Sequence, residues 1–170
     1  MKEYRLENGE VDIKQLKAET MDKKSYSAAH EGLVIPCHDI FVEYNHGILL
    51  IERLNFPAKG ILWPLGGRIL RGLSTEDSSK DKVLVEAGLL LEDLIELGHA
   101  RTYFKTDPFG HGKGTDTINI IFFGRGKGQL ALDRMHEKPR IIYPENYDNI
   151  KSELHPYVRD FMDLAIPRVR

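Results

Sequence analysis

Residues 63–89, WPLGGRILRGLSTEDSSKDKVLVEAGL, contain the clearest local structural pattern of the chain. A Gly pair follows an aromatic strand end, and a polar, helix-starting segment comes after it. Ser74 or Thr75 is a typical N-cap, acidic residues fill the first turn, and Gly88 is a typical C-terminal stop. The pattern predicts a loop that leads into a helix ending at about Ala87.

One face of this predicted helix contains the positions at which metal ligands would be expected. Positions 82, 85 and 86 share a face because residues three and four apart are neighbours on a helix. They are Lys82, Val85 and Glu86, so the face offers one acid. Magnesium is often held by only one or two carboxylates together with substrate phosphates. We therefore expect at most one ion here, with Lys82 competing for Glu86.

Length, composition and net charge limit the kinds of protein that this chain can be. The chain has 170 residues, of which 41% are hydrophobic, and this suits one globular domain with a core. A net charge of −2 argues against nucleic-acid coating and against a polybasic membrane anchor. Cys37 is the single cysteine, which excludes an internal disulfide and indicates a cytoplasmic location.

The chain divides by composition into two parts. Residues 1–30 are polar and rich in Lys and Glu, and Val11, Leu16 and Met21 indicate a weak amphipathic helix within them. Residues 31–170 carry the patterns of a folded domain. We expect the N-terminal segment to be a candidate surface for packing on a second copy, as in a homodimer.

Strands dominate the chain after Gly32. The predicted strands are 39–44, 47–54, 61–64, 95–105, 115–125 and 140–143. A glycine-rich loop, 107–114, separates the two longest strands. Helical patterns at 145–154 and 157–165 are interrupted by Pro156. Strands on both sides of one central helix, with helices at the end, predict an α/β sandwich.

The spacing around the central helix resembles that of a known family. With Gly67 as the anchor, the Nudix box places its last Glu on Glu86 and its final Gly on Gly88 without a gap. The box positions that are not kept are Leu73, Asp81, Lys82 and Val85. The chain thus resembles the Nudix family with a degenerate box. The resemblance implies an α/β/α sandwich with a mixed β-sheet.

The flanking residues resemble one branch of that family, the GDP-mannose mannosyl hydrolases. The matching motifs are RLNFPAKG at 53–60, GGR at 66–68, GTD at 114–116 and a loop histidine, His136, ahead of a strand. Similarity extends in one collinear order over residues 33–165. The branch keeps a similarly incomplete box, and this implies a small nucleotide-sugar substrate.

The resemblance assigns roles to individual residues. His136 corresponds to the base that activates water for attack at the anomeric carbon, which releases the sugar and a nucleoside diphosphate. Arg53 and Arg68 would stabilise the charge that grows on the diphosphate. Tyr103 and Asp116 are candidates for substrate binding. Taken alone, these residues also fit an exposed loop histidine, surface ion pairs and a core aromatic.

The resemblance also implies a metal site, with fewer ligands than the branch has. The last box Glu, Glu86, and the carbonyl of Gly67 correspond to ligands of the branch. Met135 stands where the branch has an amide oxygen, and a thioether is a poor partner for a hard cation. We expect at most one Mg²⁺ or Mn²⁺ ion, weakly held and dependent on the substrate's phosphates.

The sequence also allows a second class of function. The losses at Leu73, Lys82, Val85 and Met135 fit a Nudix-fold module that binds or senses a nucleotide without turnover. A second oxygen ligand near Met135 would favour the enzyme. Ordinary pyrophosphate hydrolysis is a more distant alternative, because the acidic helix face is gone.

Overall fold

The computed structural model describes residues 1–4, 11–17 and 21–170. The strands are β1 Ile35–Tyr44, β2 Gly47–Arg53, β3 Leu62–Trp63, β4 Leu65–Arg68, β5 Leu90–Phe104, β6 Thr115–Lys127 and β7 His136–Ile142. The helices are α1 Lys23–Gly32, α2 Thr75–Ala87, α3 Pro144–Ile150 and α4 Pro156–Ala165. Short 3₁₀ turns occupy Ile13–Leu16, Lys151–Glu153 and Ile166–Arg168.

The strands form one mixed sheet. Its main order is β3-β2-β1-β6-β5, with β4 added on β1 and β7 added on β2. The central pair, β1 and β6, is parallel, whereas β1 with β2 and β5 with β6 are antiparallel. The central strand β1 is buried on both faces, and this buries polar residues such as His38 and Asp39 along with its apolar ones.

Helices cover both faces of this sheet. On one face, Ile40 and Val42 of β1 pack in a core with Val83 of α2. On the other face, Phe41 packs in a core with Met162 of α4. Successive strand residues point to opposite faces, so one strand contributes to both cores. The predicted α/β/α sandwich with a mixed sheet is confirmed.

The ends of α2 follow the predicted chemistry. The Ser74 hydroxyl accepts the backbone N–H of Asp77 at 3.0 Å, and Ser74 is the N-cap. Gly88 ends the helix with φ of 69°, a left-handed conformation that glycine adopts at little cost. The helix therefore begins and ends where its sequence predicts.

Strand β4 was not predicted, because its Gly pair was interpreted as a loop. Gly66 lies so close to β1 that an added Cβ would sit 2.3 Å from the His38 carbonyl oxygen. The glycine is thus needed for strand pairing. Strand β7 also begins earlier than predicted, at His136.

The N-terminal segment contains more helix than its weak pattern indicated. Asp22 caps α1 by accepting the N–H groups of Lys24 and Ser25. The predicted helix around Val11 and Leu16 is a 3₁₀ turn, and residues 5–10 and 18–20 lie outside the described residues. Within the described part of the chain, no helix has the length and apolar character that crossing a bilayer requires.

Candidate functional site

Three polar side chains converge where α2 meets the start of β7. Glu86 of α2, Asp133 of the loop before β7 and His136 of β7 each offer a ligand atom, and these atoms lie within 4.8 Å of one another. Backbone bonds hold the loop in place. The Asp133 N–H donates to the Glu86 carbonyl at 3.0 Å, and the Leu54 N–H donates to the Met135 carbonyl at 3.2 Å.

Asp133 orients His136. The carboxylate oxygen Oδ1 of Asp133 lies 2.7 Å from Nδ1 of the buried His136 ring. The same oxygen accepts the N–H of Met135 at 2.8 Å, which fixes its position. A carboxylate on Nδ1 selects the tautomer with the proton there, so that Nε2 keeps its lone pair. The pair has the arrangement of an oriented general base.

Glu86 is buried and its two oxygens are engaged. Oε1 lies 3.1 Å from the Lys82 ammonium, and Oε2 accepts the Gly66 N–H at 3.2 Å. The predicted ion pair between Lys82 and Glu86 is present. Two carboxylates and an imidazole fit one divalent ion, because Mg²⁺ and Mn²⁺ favour carboxylate oxygens. Lys82 competes with that ion for Oε1.

Asp133 was missed by the sequence analysis, which weighed only Met135 as the ligand beside His136. The Met135 side chain is exposed, and the oxygen that approaches the imidazole comes from two residues earlier. The signal that was present is the spacing Asp-x-x-His at 133–136. This carboxylate offers an oxygen close to the position at which the sequence analysis considered only the Met135 thioether.

Arg53 lies beside His136. The two residues are directly paired between β2 and β7, so their side chains point to the same face. The Nε atom of Arg53 is buried and has no hydrogen-bond partner among the described residues. A guanidinium donor left in this state is available to a bound anion.

Arg68 lies at the end of β4. Its guanidinium carbon sits 4.3 Å from the centre of the Tyr26 ring of α1. Arg53 and Arg68 both line a cavity of about 200 Å³. The structure thus brings the two predicted arginines to one opening.

The floor of the cavity is aromatic and polar. Trp63 lines it and stacks on Tyr157 with ring centres 4.9 Å apart. The buried Asp39 also lines it and accepts a hydrogen bond from the Tyr157 hydroxyl. Burial raises the pKa of Asp39 to about 6, with the Tyr157 bond and the Arg53 charge acting in the opposite direction. Phe104 adds a further apolar surface to the cavity.

Helix α1 and the glycine-rich loop close one side of the cavity. His30 of α1 lies 2.9 Å from His111 of the loop, nitrogen to nitrogen. Burial lowers the pKa of His30, and the nearby His111 lowers it further. Asp107 shapes the loop by accepting the N–H groups of Phe109 and Gly112 at 2.8 and 3.0 Å. His111 therefore connects the loop to α1.

Two predicted substrate-binding residues lie outside this cavity. The side chain of Tyr103 is on the exposed face of β5, and the residue is 70% exposed. Asp116 is its register partner on β6, and it pairs with Arg101 through two hydrogen bonds of 2.8 and 3.0 Å. The alternate residues Thr102 and Thr117 line the cavity instead. Strand alternation explains the difference, since neighbouring residues face opposite sides.

Two further residues have structural roles. Cys37 is a buried free thiol. His38 is fully buried, with Nε2 2.9 Å from the Ser78 hydroxyl of α2. Burial lowers the pKa of His38 to about 4, so the ring is neutral at pH 7. It joins β1 to α2 in the core.

No protein-family model matches the sequence, and no curated protein matches it significantly. Solved structures do match the fold. The MutT protein of Methanosarcina mazei Go1 has 19% identity and a TM-score of 0.58, over 76% of this chain and 91% of that one.

Two structures with bound nucleotides also match. The NUDIX domain of Shewanella oneidensis NrtR, complexed with ADP ribose, has 13% identity and a TM-score of 0.52 over 76% of this chain and 88% of that one. A bifunctional NMN adenylyltransferase/ADP ribose pyrophosphatase of Francisella tularensis, complexed with AMP and a Mn ion, has 14% identity and a TM-score of 0.57. That match covers 84% of this chain and 44% of that one. The chain has the fold of the Nudix hydrolases.

Proposed function

We propose that the protein is a nucleotide-sugar hydrolase of the GDP-mannose mannosyl hydrolase type. Water would attack the anomeric carbon and release the sugar and a nucleoside diphosphate. The observation that carries this proposal is the Asp133–His136 pair, with a nitrogen–oxygen distance of 2.7 Å. It lies next to Glu86 and on the same sheet face as Arg53.

The reaction needs a base, and His136 can provide it. With Nδ1 donating to Asp133, Nε2 can accept a proton from water as the oxygen attacks the anomeric carbon. The bond between that carbon and the phosphate oxygen then breaks, and the electron pair stays on the diphosphate. Asp133 stabilises the imidazolium that results, because it is the hydrogen-bonded carboxylate.

The leaving group needs positive charge, and two arginines supply it. Arg53 and Arg68 line the same cavity, and guanidinium forks match phosphate oxygens in a bidentate geometry. Their charge is permanent and fixed by the strands that carry them, so it can stabilise the growing anion without rearrangement. The aromatic floor around Trp63 provides a surface for the nucleoside or sugar.

A divalent ion is a further part of the proposal. Glu86 and the Gly67 carbonyl would hold one Mg²⁺ or Mn²⁺ ion together with the substrate's phosphates, which leaves Asp133 and His136 to act as the base. Such an ion would neutralise charge on the diphosphate. The Lys82–Glu86 ion pair keeps its affinity low in the absence of that ligand. Two structures with a similar fold were solved with ADP ribose, and with AMP and a Mn ion, and this supports a nucleotide ligand for the present chain.

The direct test is incubation with a panel of GDP- and UDP-sugars in Mg²⁺ or Mn²⁺. Free sugar together with an intact nucleoside diphosphate, read by NMR, is the expected result. Release of nucleoside monophosphate and sugar phosphate would instead place the cleavage between the phosphorus atoms.

A second function is favoured by one specific observation. The Lys82–Glu86 pair already occupies the single acid of the helix face, and Val85 beside it is 63% exposed. These features fit a module that binds a nucleotide without turnover. Binding of GDP or ADP ribose together with no cleavage of any member of the panel would support it.

A further inference from the structure

We propose that the Lys82 ammonium is a built-in cation for the diphosphate, located where a divalent ion would otherwise be held by Glu86. The inference rests on the proposed function, because it takes the ligand to be a nucleoside diphosphate group. When no ion is bound, the proposal assigns the charge neutralisation at this site to the protein itself. Diphosphate binding then proceeds without added metal.

Lys82 lies at the carboxylate that a divalent ion would need. Its Nζ lies 3.1 Å from Oε1 of Glu86, which is one of the three residues of the Glu86–Asp133–His136 group. An ammonium and a divalent ion would therefore compete for the same carboxylate oxygen. The end of the lysine chain also lies against Gly67, where an added Cβ would be 3.3 Å from Nζ.

Lys82 also keeps donors for a ligand. An ammonium has three N–H donors, and the bond to Glu86 uses one of them. The side chain is 28% exposed, so the remaining donors can be reached by a bound anion. Because residue 67 is a glycine, no side chain at that position crowds the Lys82 ammonium. These features distinguish Lys82 from Lys80, which pairs with Glu76 on the exposed side of α2.

Positive charges converge on this side of the cavity. Burial is the main cause that raises the pKa of Cys37 to about 12, and Asp39 adds to it. The positive charges of Lys82, Arg53 and Arg68 act to lower the pKa of Cys37, so all three groups lie near its thiol. Cys37 and both arginines line the cavity, as does Gly67, and the end of the Lys82 side chain lies against Gly67.

The nearby carboxyl groups do not cancel the charge of the two arginines. Asp39 is bonded to Tyr157, and burial raises its pKa. Asp133 is bonded to His136, and Glu86 is already paired with Lys82. Arg53 and Arg68 therefore remain available to an anion. A diphosphate would meet two guanidinium groups and one ammonium.

The experiment measures binding of GDP and of inorganic pyrophosphate by calorimetry, in EDTA and then in Mn²⁺. The variants are Lys82→Gln, Lys82→Arg and Lys82→Glu, with Lys80→Gln as the matched control on the same helix. Circular dichroism checks that each variant is folded. Lys82→Arg keeps the charge and therefore separates the loss of a cation from a disturbance of α2.

The wild-type protein and Lys80→Gln should bind both ligands in EDTA, and Lys82→Arg should retain this binding. Lys82→Gln should bind on the order of 10-fold or more weakly, because a charge-assisted bond is lost. Lys82→Glu should bind only when Mn²⁺ is added, because the new carboxylate provides an oxygen ligand and removes the competing charge.

Binding by the wild type only in Mn²⁺, or equal affinities for Lys82→Gln and Lys80→Gln, would overturn the proposal. So would no binding of either ligand under any condition. The proposed reaction is judged separately by turnover of the nucleotide-sugar panel. Absence of turnover with the expected binding pattern would overturn the reaction and leave the Lys82 site supported.

Discussion

Replacing Asp133 by alanine should slow turnover while leaving nucleoside diphosphate affinity nearly unchanged. The carboxylate accepts from Nδ1 of His136 at 2.7 Å and has no direct role in binding the leaving group in this account. A hydrogen bond that involves a charged group contributes about 1.5–3 kcal/mol, and about 1.4 kcal/mol corresponds to a tenfold change in rate. The Asp133 side chain is 27% exposed, so water replaces part of the bond. We expect kcat to fall about 10- to 100-fold.

The assay is steady-state release of nucleoside diphosphate, with GDP affinity measured in parallel by calorimetry. Asp160→Ala is the matched control, because Asp160 is an exposed aspartate on α4. Asp133→Asn keeps an acceptor oxygen without the charge and should fall between the wild type and Asp133→Ala. A kcat for Asp133→Ala equal to that of Asp160→Ala would refute the orienting role. A change confined to KM would do the same.

Three further outcomes are expected. Arg53→Ala should weaken GDP binding about 10-fold in calorimetry, because a charge-assisted phosphate contact is lost; unchanged affinity would place the diphosphate elsewhere. Burial raises the pKa of Asp39 to about 6, so ionisation of Asp39 makes the free energy of unfolding fall as the pH rises from 4 to 6. Burial lowers the pKa of His38 to about 4, so His38 makes the free energy of unfolding rise over the same range. Asp39→Asn should therefore make the free energy of unfolding rise more steeply from pH 4 to 6 than in the wild type, measured by denaturation at several pH values, and an unchanged slope would contradict the shifted Asp39. His111→Ala should accelerate amide exchange in α1 about 10-fold, because the bond to His30 is lost, and equal exchange would show that the loop does not hold the helix.

The elements that could be predicted from the sequence are those with local signals. Ser74 and Gly88 mark the ends of α2 because capping depends on neighbouring residues. The Lys82–Glu86 pair is equally local, since four-residue spacing brings the two side chains together on any helix.

The features that were missed depend on contacts between distant parts of the chain. Strand β4 exists because Gly66 fits against β1, and no local pattern indicates that contact. Asp133 reaches His136 because its loop is bonded to the end of α2. Tyr103 faces outward because the alternation of β5 sets its side, which a resemblance in sequence does not specify.

The position of bond cleavage tests the central claim most directly. Hydrolysis of a nucleotide sugar in water enriched in oxygen-18 should place the label on the sugar and none on the nucleoside diphosphate. His136→Ala should reduce this reaction about 100- to 10,000-fold, since a positioned general base is lost. Label on a phosphate, or turnover by His136→Ala at the wild-type rate, would contradict attack at the anomeric carbon with His136 as the base.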